Sequence, residues 1–490
     1  MKYRILLIIF IYLLFLSSTV YSQELVEDRD NEHNENSKKL ELKIDEKPIN
    51  NTKIVNPALK LDFPLFDLPY QIEAMNTVGH GFFSSYVNPS MAQSLALSLN
   101  IVTSYNFGLK CFYDNVNMNE RLKYFIYVSA TALGVFVFQY MPGAEGWMHE
   151  EYHRSIMTRF GVNSFNAMNL FPIGAAVIPV EDIKDEDLIR MKEKAPIDMT
   201  RMYEAGIEGQ YLQVSRLQRN NFFYDQQLLN EIGYWQSTLN SHLYVTYSAD
   251  PSSSLFQSLN NDDGTESSRD FAGSDFTAWV YSLFRPNEPY ADRGSNPDNG
   301  EVKRYISPDD LTDDELHYLK LQGYLQILNY LSPMMFGIRS IPFGDSGFYG
   351  NFAMRHYITS FGYDISAQAF LKRRPYNMVF TYHNYVNHHN WFPAVEAEFV
   401  DYPFNLGKLS MFLSPRVLIG MQPKDQIFKT GSPEFLGLFG LRIDFRTNKN
   451  IFPYGDFTAK TKGWVAGNEY LNANASVKLG VSFRFFRKII

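Results

Sequence analysis

The sequence predicts an α+β protein: a helical domain over residues 64–340, followed by an antiparallel β-barrel domain of about eight strands over residues 341–490. Apolar residues recur at helical spacing up to about Ser340, as in Leu316, Leu319, Ile327, Leu328 and Leu331. After about Tyr357 the period becomes two. The clearest case is the run in which Ala473, Ala475, Val477, Leu479, Val481, Phe483 and Phe485 alternate with Asn474, Ser476, Lys478, Gly480, Ser482 and Arg484. Its length sets the type of sheet. A strand crossing a tilted bilayer path needs ~9–11 residues, whereas globular strands average about 5–6. The apolar face is therefore expected to meet lipid and the polar face a lumen, and the closing region has room for roughly eight strands.

The elements follow in order. Residues 1–22 read as a secretory signal, with Lys2 and Arg4 as the basic start, Ile5 to Leu16 as the apolar run and Val20-Tyr21-Ser22 at the cleavage site. Residues 23–63 are rich in Asp, Glu, Lys and Asn and read as a disordered polar linker, because they bury too little apolar surface to offset ordering entropy. Helices are expected over Met91–Val102 and Leu122–Tyr140; the second is nearly all apolar from Tyr124 to Phe138 and reads as a buried core helix. Thr312-Asp313-Asp314-Glu315 forms a capping box, and Pro333 ends the helix it opens. Asp250–Asp275 and Arg285–Asn299 are polar, turn-rich surface loops. Strands are expected around Phe380, Met411 and Ile443, separated by turns such as Pro423-Lys424-Asp425.

Composition narrows the function. The 490 residues carry a formal net charge of −8, which disfavours nucleic acid as a partner. The only cysteine is Cys111, so a metal site has to be built from His and carboxylates. The aromatic content of 16% needs a core or a membrane interface to receive it.

His149-Glu150-Glu151-Tyr152-His153 supplies such a site. On a helix the two imidazoles lie one turn apart on one face, able to hold one Zn²⁺, and Glu150 can point at the metal-bound water as general base. Ile156 and Phe160 continue that face and Gly161 marks its end. By composition alone the pattern is expected on the order of 0.01 times in such a chain.

In these residues the chain resembles the zincin metallopeptidases, over this helix and one more. The resemblance implies a zinc-dependent hydrolase acting on a peptide or protein substrate, with His149 and His153 as zinc ligands and Glu150 as base. Arg154 to Arg159 lacks the nearby Gly and His of the metzincin type, which leaves the glutamate type. There a later helix supplies a carboxylate, often with a second acid one turn on. Tyr203 to Gln210 matches best, with Glu208 as ligand, Glu204 as its support or the reverse, and Gly206 and Gly209 permitting close helix approach. His242, Tyr234 and His356 are the candidates to stabilise an oxyanion. The final strand resembles the aromatic-rich terminal strand of outer-membrane barrel proteins, although Arg487-Lys488-Ile489-Ile490 follow it. That implies an exported protein of the bacterial outer membrane with a periplasmic helical domain.

Two other readings compete. His383, His388 and His389 suggest an iron-binding membrane oxygenase, but their spacing is one residue too long and they read as a His- and Asn-rich turn. The stronger rival is a non-enzymatic outer-membrane barrel in which His149 to His153 is structural.

Overall fold

The computed structural model describes residues 57–78, 87–173, 178–224, 230–253, 264–296, 300–344, 347–373, 375–407 and 409–486. The expected signal, the linker as far as residue 56 and the tail 487–490 lie outside them. The class is α+β. Among the described residues nine helices accompany one large antiparallel sheet of 11 strands.

In chain order the helices are α1 (Tyr70–Val78), α2 (Met91–Asn115), α3 (Glu120–Val137), α4 (Glu145–Arg159), α5 (Asp185–Lys194), α6 (Pro196–Phe223), α7 (Asn230–Ser248), α8 (Asp275–Phe284) and α9 (Asp313–Leu325). The expected capping box opens α9, where the Thr312 hydroxyl accepts from the Glu315 amide. Gly161 takes a left-handed φ of +71° just beyond α4, which glycine adopts without steric cost. No described helix is long and apolar enough to cross a membrane.

The sheet begins earlier in the chain than expected. Residues 57–63, assigned to the disordered linker, belong to β1 (Pro57–Leu68), which pairs with β13 (Asn474–Phe486). From β13 the order runs through β12 (Ile451–Lys460), β11 (Pro433–Phe445), β10 (Leu409–Pro423), β8 (Trp391–Phe399), β7 (Tyr376–Val386), β6 (Gly362–Arg373) and β5 (Tyr349–Thr359) to β4 (Ile341–Pro342). The short β9 (Tyr402–Leu406) pairs with β10, and β2 (Phe165–Asn166) with β3 (Val180–Glu181) in a separate two-stranded sheet.

The two faces of the large sheet are inverted relative to a soluble sandwich. Phe380, Tyr382, Val395, Ile419, Phe439, Leu479 and Phe485 are exposed, while Asp364, Thr381, Gln422, Asp444, Ser482 and Arg484 are buried on the opposite face. Inward charges are paired: Arg442 reaches Asp62 and Asp444 at 2.8 and 2.9 Å, and Arg484 meets Asp401 at 3.1 Å.

Among the described residues the ladder does not close strand to strand, because both long edge strands meet helical segments. On β1 the Asn100 side chain of α2 accepts from the Asp62 amide at 2.9 Å and donates to the Asp62 carbonyl at 2.7 Å, while Gln93 donates to the Pro64 carbonyl. On β5 the Asn329 side chain does the same to His356, at 2.8 and 3.2 Å. A primary amide offers one acceptor and one donor, so it can stand in for a neighbouring strand and satisfy an otherwise open edge.

Helix α6 ties the two halves together. Its 28 residues reach about 42 Å at 1.5 Å per residue. The first half packs on α4 and α8 in the main core, where Met148, Tyr152, Met202, Tyr203, Phe276 and Trp279 are buried. The second half lies against the polar face of the sheet, where Arg219 pairs with Glu398 of β8 at 2.7 Å and Lys372 of β6 donates to the Phe223 carbonyl.

Candidate metal centre

Helix α4 carries His149 and His153 one turn apart, both buried, with ring centroids 4.9 Å apart. His149, Glu150 and His153 each offer a ligand atom within 4.8 Å of the others, a spacing in which a metal ion could be held. His153 Nδ1 lies 2.6 Å from the Met202 carbonyl of α6. A carbonyl can only accept, so Nδ1 carries a proton, and in the neutral ring Nε2 is then the lone pair. That Nε2 is buried without a hydrogen-bond partner.

The carboxylate facing both imidazoles is Asp275, at the start of α8. Its Oδ2 lies 3.2 Å from His149 Nε2 and 3.4 Å from His153 Nε2. The Asp275 amide donates to the Tyr244 hydroxyl of α7 at 3.3 Å, which fixes the start of the helix beside the histidines. Opposite stands Gly206 of α6, where a Cβ would overlap Nε2 of both histidines. Three donor atoms thus converge on a space that only glycine leaves open, and two imidazoles with one carboxylate are a donor set that suits zinc.

Glu208 and Glu204, expected as ligand and support, are directed elsewhere. Both pair with Arg201; Glu204 also accepts from Trp464 Nε1 at 3.0 Å, and Glu208 from the Gly467 amide at 2.6 Å. At 100° per residue, positions 204 and 208 lie about 160° round the helix from Gly206, the face turned to the metal helix. Gly206 and Gly209 do permit the close approach expected of them, with Gly209 against the Tyr152 ring. The two acids instead dock the loop between β12 and β13 onto α6.

The proposed oxyanion partners lie apart from the centre. His242 faces the Tyr330 hydroxyl, Tyr234 is buried in a cluster with Val102 and Leu217, and His356 sits between Gln322 and Gln326. Tyr244 is the hydroxyl at the site. His383 is on β7 beside Asp364 and Glu396, while His388 and His389 occupy the turn that follows, so the three do not converge.

Burial and mutual pairing shift the titratable groups of the cluster. Burial lowers the pKa of His149. Burial also opposes charge on His153, but Asp275 beside it prevails and raises its pKa. Burial would raise Asp275, yet the two imidazoles hold it below the usual carboxylate range. Burial, with Asp270 and Asp275 nearby, holds Glu150 well above its ordinary value, and burial with Asp275 pushes Asp270 up to about 7. Glu150 forms no hydrogen bond to another described residue, leaving its carboxylate able to exchange a proton with a bound molecule.

No family model, curated protein or solved structure matches the chain.

Two measurements follow from this geometry. Asp275→Asn is expected to weaken zinc binding by at least the ~10–100-fold that losing an outer partner costs, while Glu208→Gln leaves it unchanged. Competition with a chelating dye reads both, and the opposite ranking would restore the glutamate assignment.

The second concerns Glu145 in the first turn of α4, whose Oε1 is buried without a partner and whose pKa burial pushes up to about 7. Between the ordinary value of 4.5 and 7 the folded state holds a proton that the unfolded state has released, so stability falls as pH rises through that window. Glu145→Gln is expected to remove this slope and to stabilise the protein at pH 8 by on the order of 1–3 kcal/mol. Urea midpoints at pH 5 and pH 8 measure it.

Proposed function

We propose that the chain is a zinc-dependent hydrolase of the bacterial envelope, a metallopeptidase whose centre is held by His149, His153 and Asp275, with Glu150 as general base. The observation that carries this reading is the convergence of two imidazole nitrogens and one carboxylate oxygen on a glycine-lined space, with a free carboxylate alongside. Zinc bound there would supply Lewis acidity and lower the pKa of water toward ~7.

The chain's own residues do the rest. The Met202 carbonyl keeps the His153 proton on Nδ1 and so keeps Nε2 basic. Glu150, its pKa raised by burial and neighbouring acids, accepts a proton from water and passes it to the leaving amine. The Tyr244 hydroxyl accepts from the Asp275 amide, so its own proton remains available to an oxygen of the substrate.

Glu150→Gln is expected to retain one zinc per chain and to lose ~10²–10⁴-fold in peptide hydrolysis, the contribution of a positioned base. A wild type free of metal, with behaviour unchanged in that variant, would leave the non-enzymatic barrel as the better account.

The finer reading of the sheet is that it forms the wall of a membrane barrel in the outer membrane, sealed by helices between β1 and β5. The exposed apolar face of the strands supports this. Carbonate extraction tests it, since release from membranes would exclude the embedded sheet.

A further inference from the structure

A second polar cavity lies about 15 Å further along α6, ten residues past Gly206 at 1.5 Å each. It lies between the second half of that helix and the inward faces of β6, β7, β8 and β10. Its volume is about 70 Å³, roughly five times what one water needs. The aromatic side chains of Tyr357, Tyr385 and Trp464 form part of the wall.

One charged group in the wall lacks a partner. Arg219 is paired with Glu398 at 2.7 Å. Arg416 grips both oxygens of Glu396 at 2.8 and 2.9 Å. His383 Nδ1 meets Asp364 at 2.7 Å. Each of the three carboxylates thus has its own basic partner, and Arg216 is left over. Its guanidinium forms no hydrogen bond or ion pair with any described residue. On the facing strand the Ser366 hydroxyl, 1% exposed, also lines the cavity without a hydrogen-bond partner.

Two unspent donors therefore line one cavity. An unpaired guanidinium is a free fork of donors, and its planar geometry matches a carboxylate. We propose that this cavity is a binding site for a small monocarboxylate, held by Arg216 and Ser366. The volume admits an acid of acetate size, and the one unpaired guanidinium matches a single carboxylate. This site is independent of the metal centre, and neither reading depends on the other.

The test titrates the full-length protein with sodium acetate against sodium chloride at equal ionic strength, following the tryptophan emission to which Trp464 contributes. A saturable change with acetate only is expected in the wild type. It should be at least tenfold weaker in Arg216→Gln, weakened in Ser366→Ala, and partly restored in Arg216→Lys. Equal responses in the wild type and a folded Arg216→Gln variant would overturn the proposal, as would a chloride response equal to that of acetate. Should Arg216→Gln not fold, line broadening of ¹³C-acetate by the wild-type protein decides: broadening saturable by unlabelled acetate supports the site, and its absence refutes it.

Discussion

Gly206→Ala is expected to reduce zinc content from one ion per chain to near zero without unfolding the protein. The added methyl group would occupy the space between His149 Nε2 and His153 Nε2, where the ion has to sit. Alanine is otherwise the easier residue in a helix, by about 1 kcal/mol over glycine. The expected loss is therefore of metal and activity, with helical circular dichroism retained. Atomic emission on the purified variant measures the first, and a variant still holding one zinc would show that the ion binds elsewhere. Asp275→Asn removes one donor and should leave weak binding; Gly206→Ala removes the room for any.

Arg201→Met is expected to be the most destabilising single change in the helical half, at about 3–5 kcal/mol. Arg201, Glu204 and Glu208 are fully buried, and the arginine is the cation paired to both acids. Removing one partner of a buried charge network leaves uncompensated charge, which costs more than the network gains. Burial already raises the Glu204 pKa well above its ordinary value even with Arg201 beside it. The loop from β12 to β13 is held through Trp464 and Gly467 by the same carboxylates, so it should loosen as well. Urea unfolding gives the magnitude, and protease sensitivity around Gly467 gives the location. Adding Glu204→Gln and Glu208→Gln to Arg201→Met should recover much of the loss, because neutral amides no longer need the cation.

Much of the centre was legible in the chain because its signal is local. The spacing of His149 and His153 places both on one helical face whatever surrounds them, and Gly161 marks where that face ends. The long strands were legible for the same reason, since alternation over β13 fixes two chemically distinct faces. Asp275, the carboxylate that meets both imidazoles, shows the limit of such signals. Asp275 was read as the last residue of a surface loop, yet Ser274-Asp275 followed by the apolar run from Phe276 to Phe284 is a helix-start signal. Glu204 and Glu208 drew attention as an acidic pair, but Gly206 between them faces the metal helix, and one helix cannot turn positions two apart to the same side.

The sequence by itself determined the helix that presents His149 and His153 on one face, the two chemically distinct faces of the strands and the lack of cysteine partners, because each depends on residues near one another in the chain. Only the tertiary structure decided which carboxylate meets the imidazoles, since Asp275 lies 122 residues beyond His153. It also decided that β1, drawn from a segment that reads as linker, joins the sheet, and that Asn100 and Asn329 satisfy its edges in place of strands. Each of these is a pairing across long sequence separation. Its energy comes from desolvated partners brought together by packing, and no local pattern encodes it.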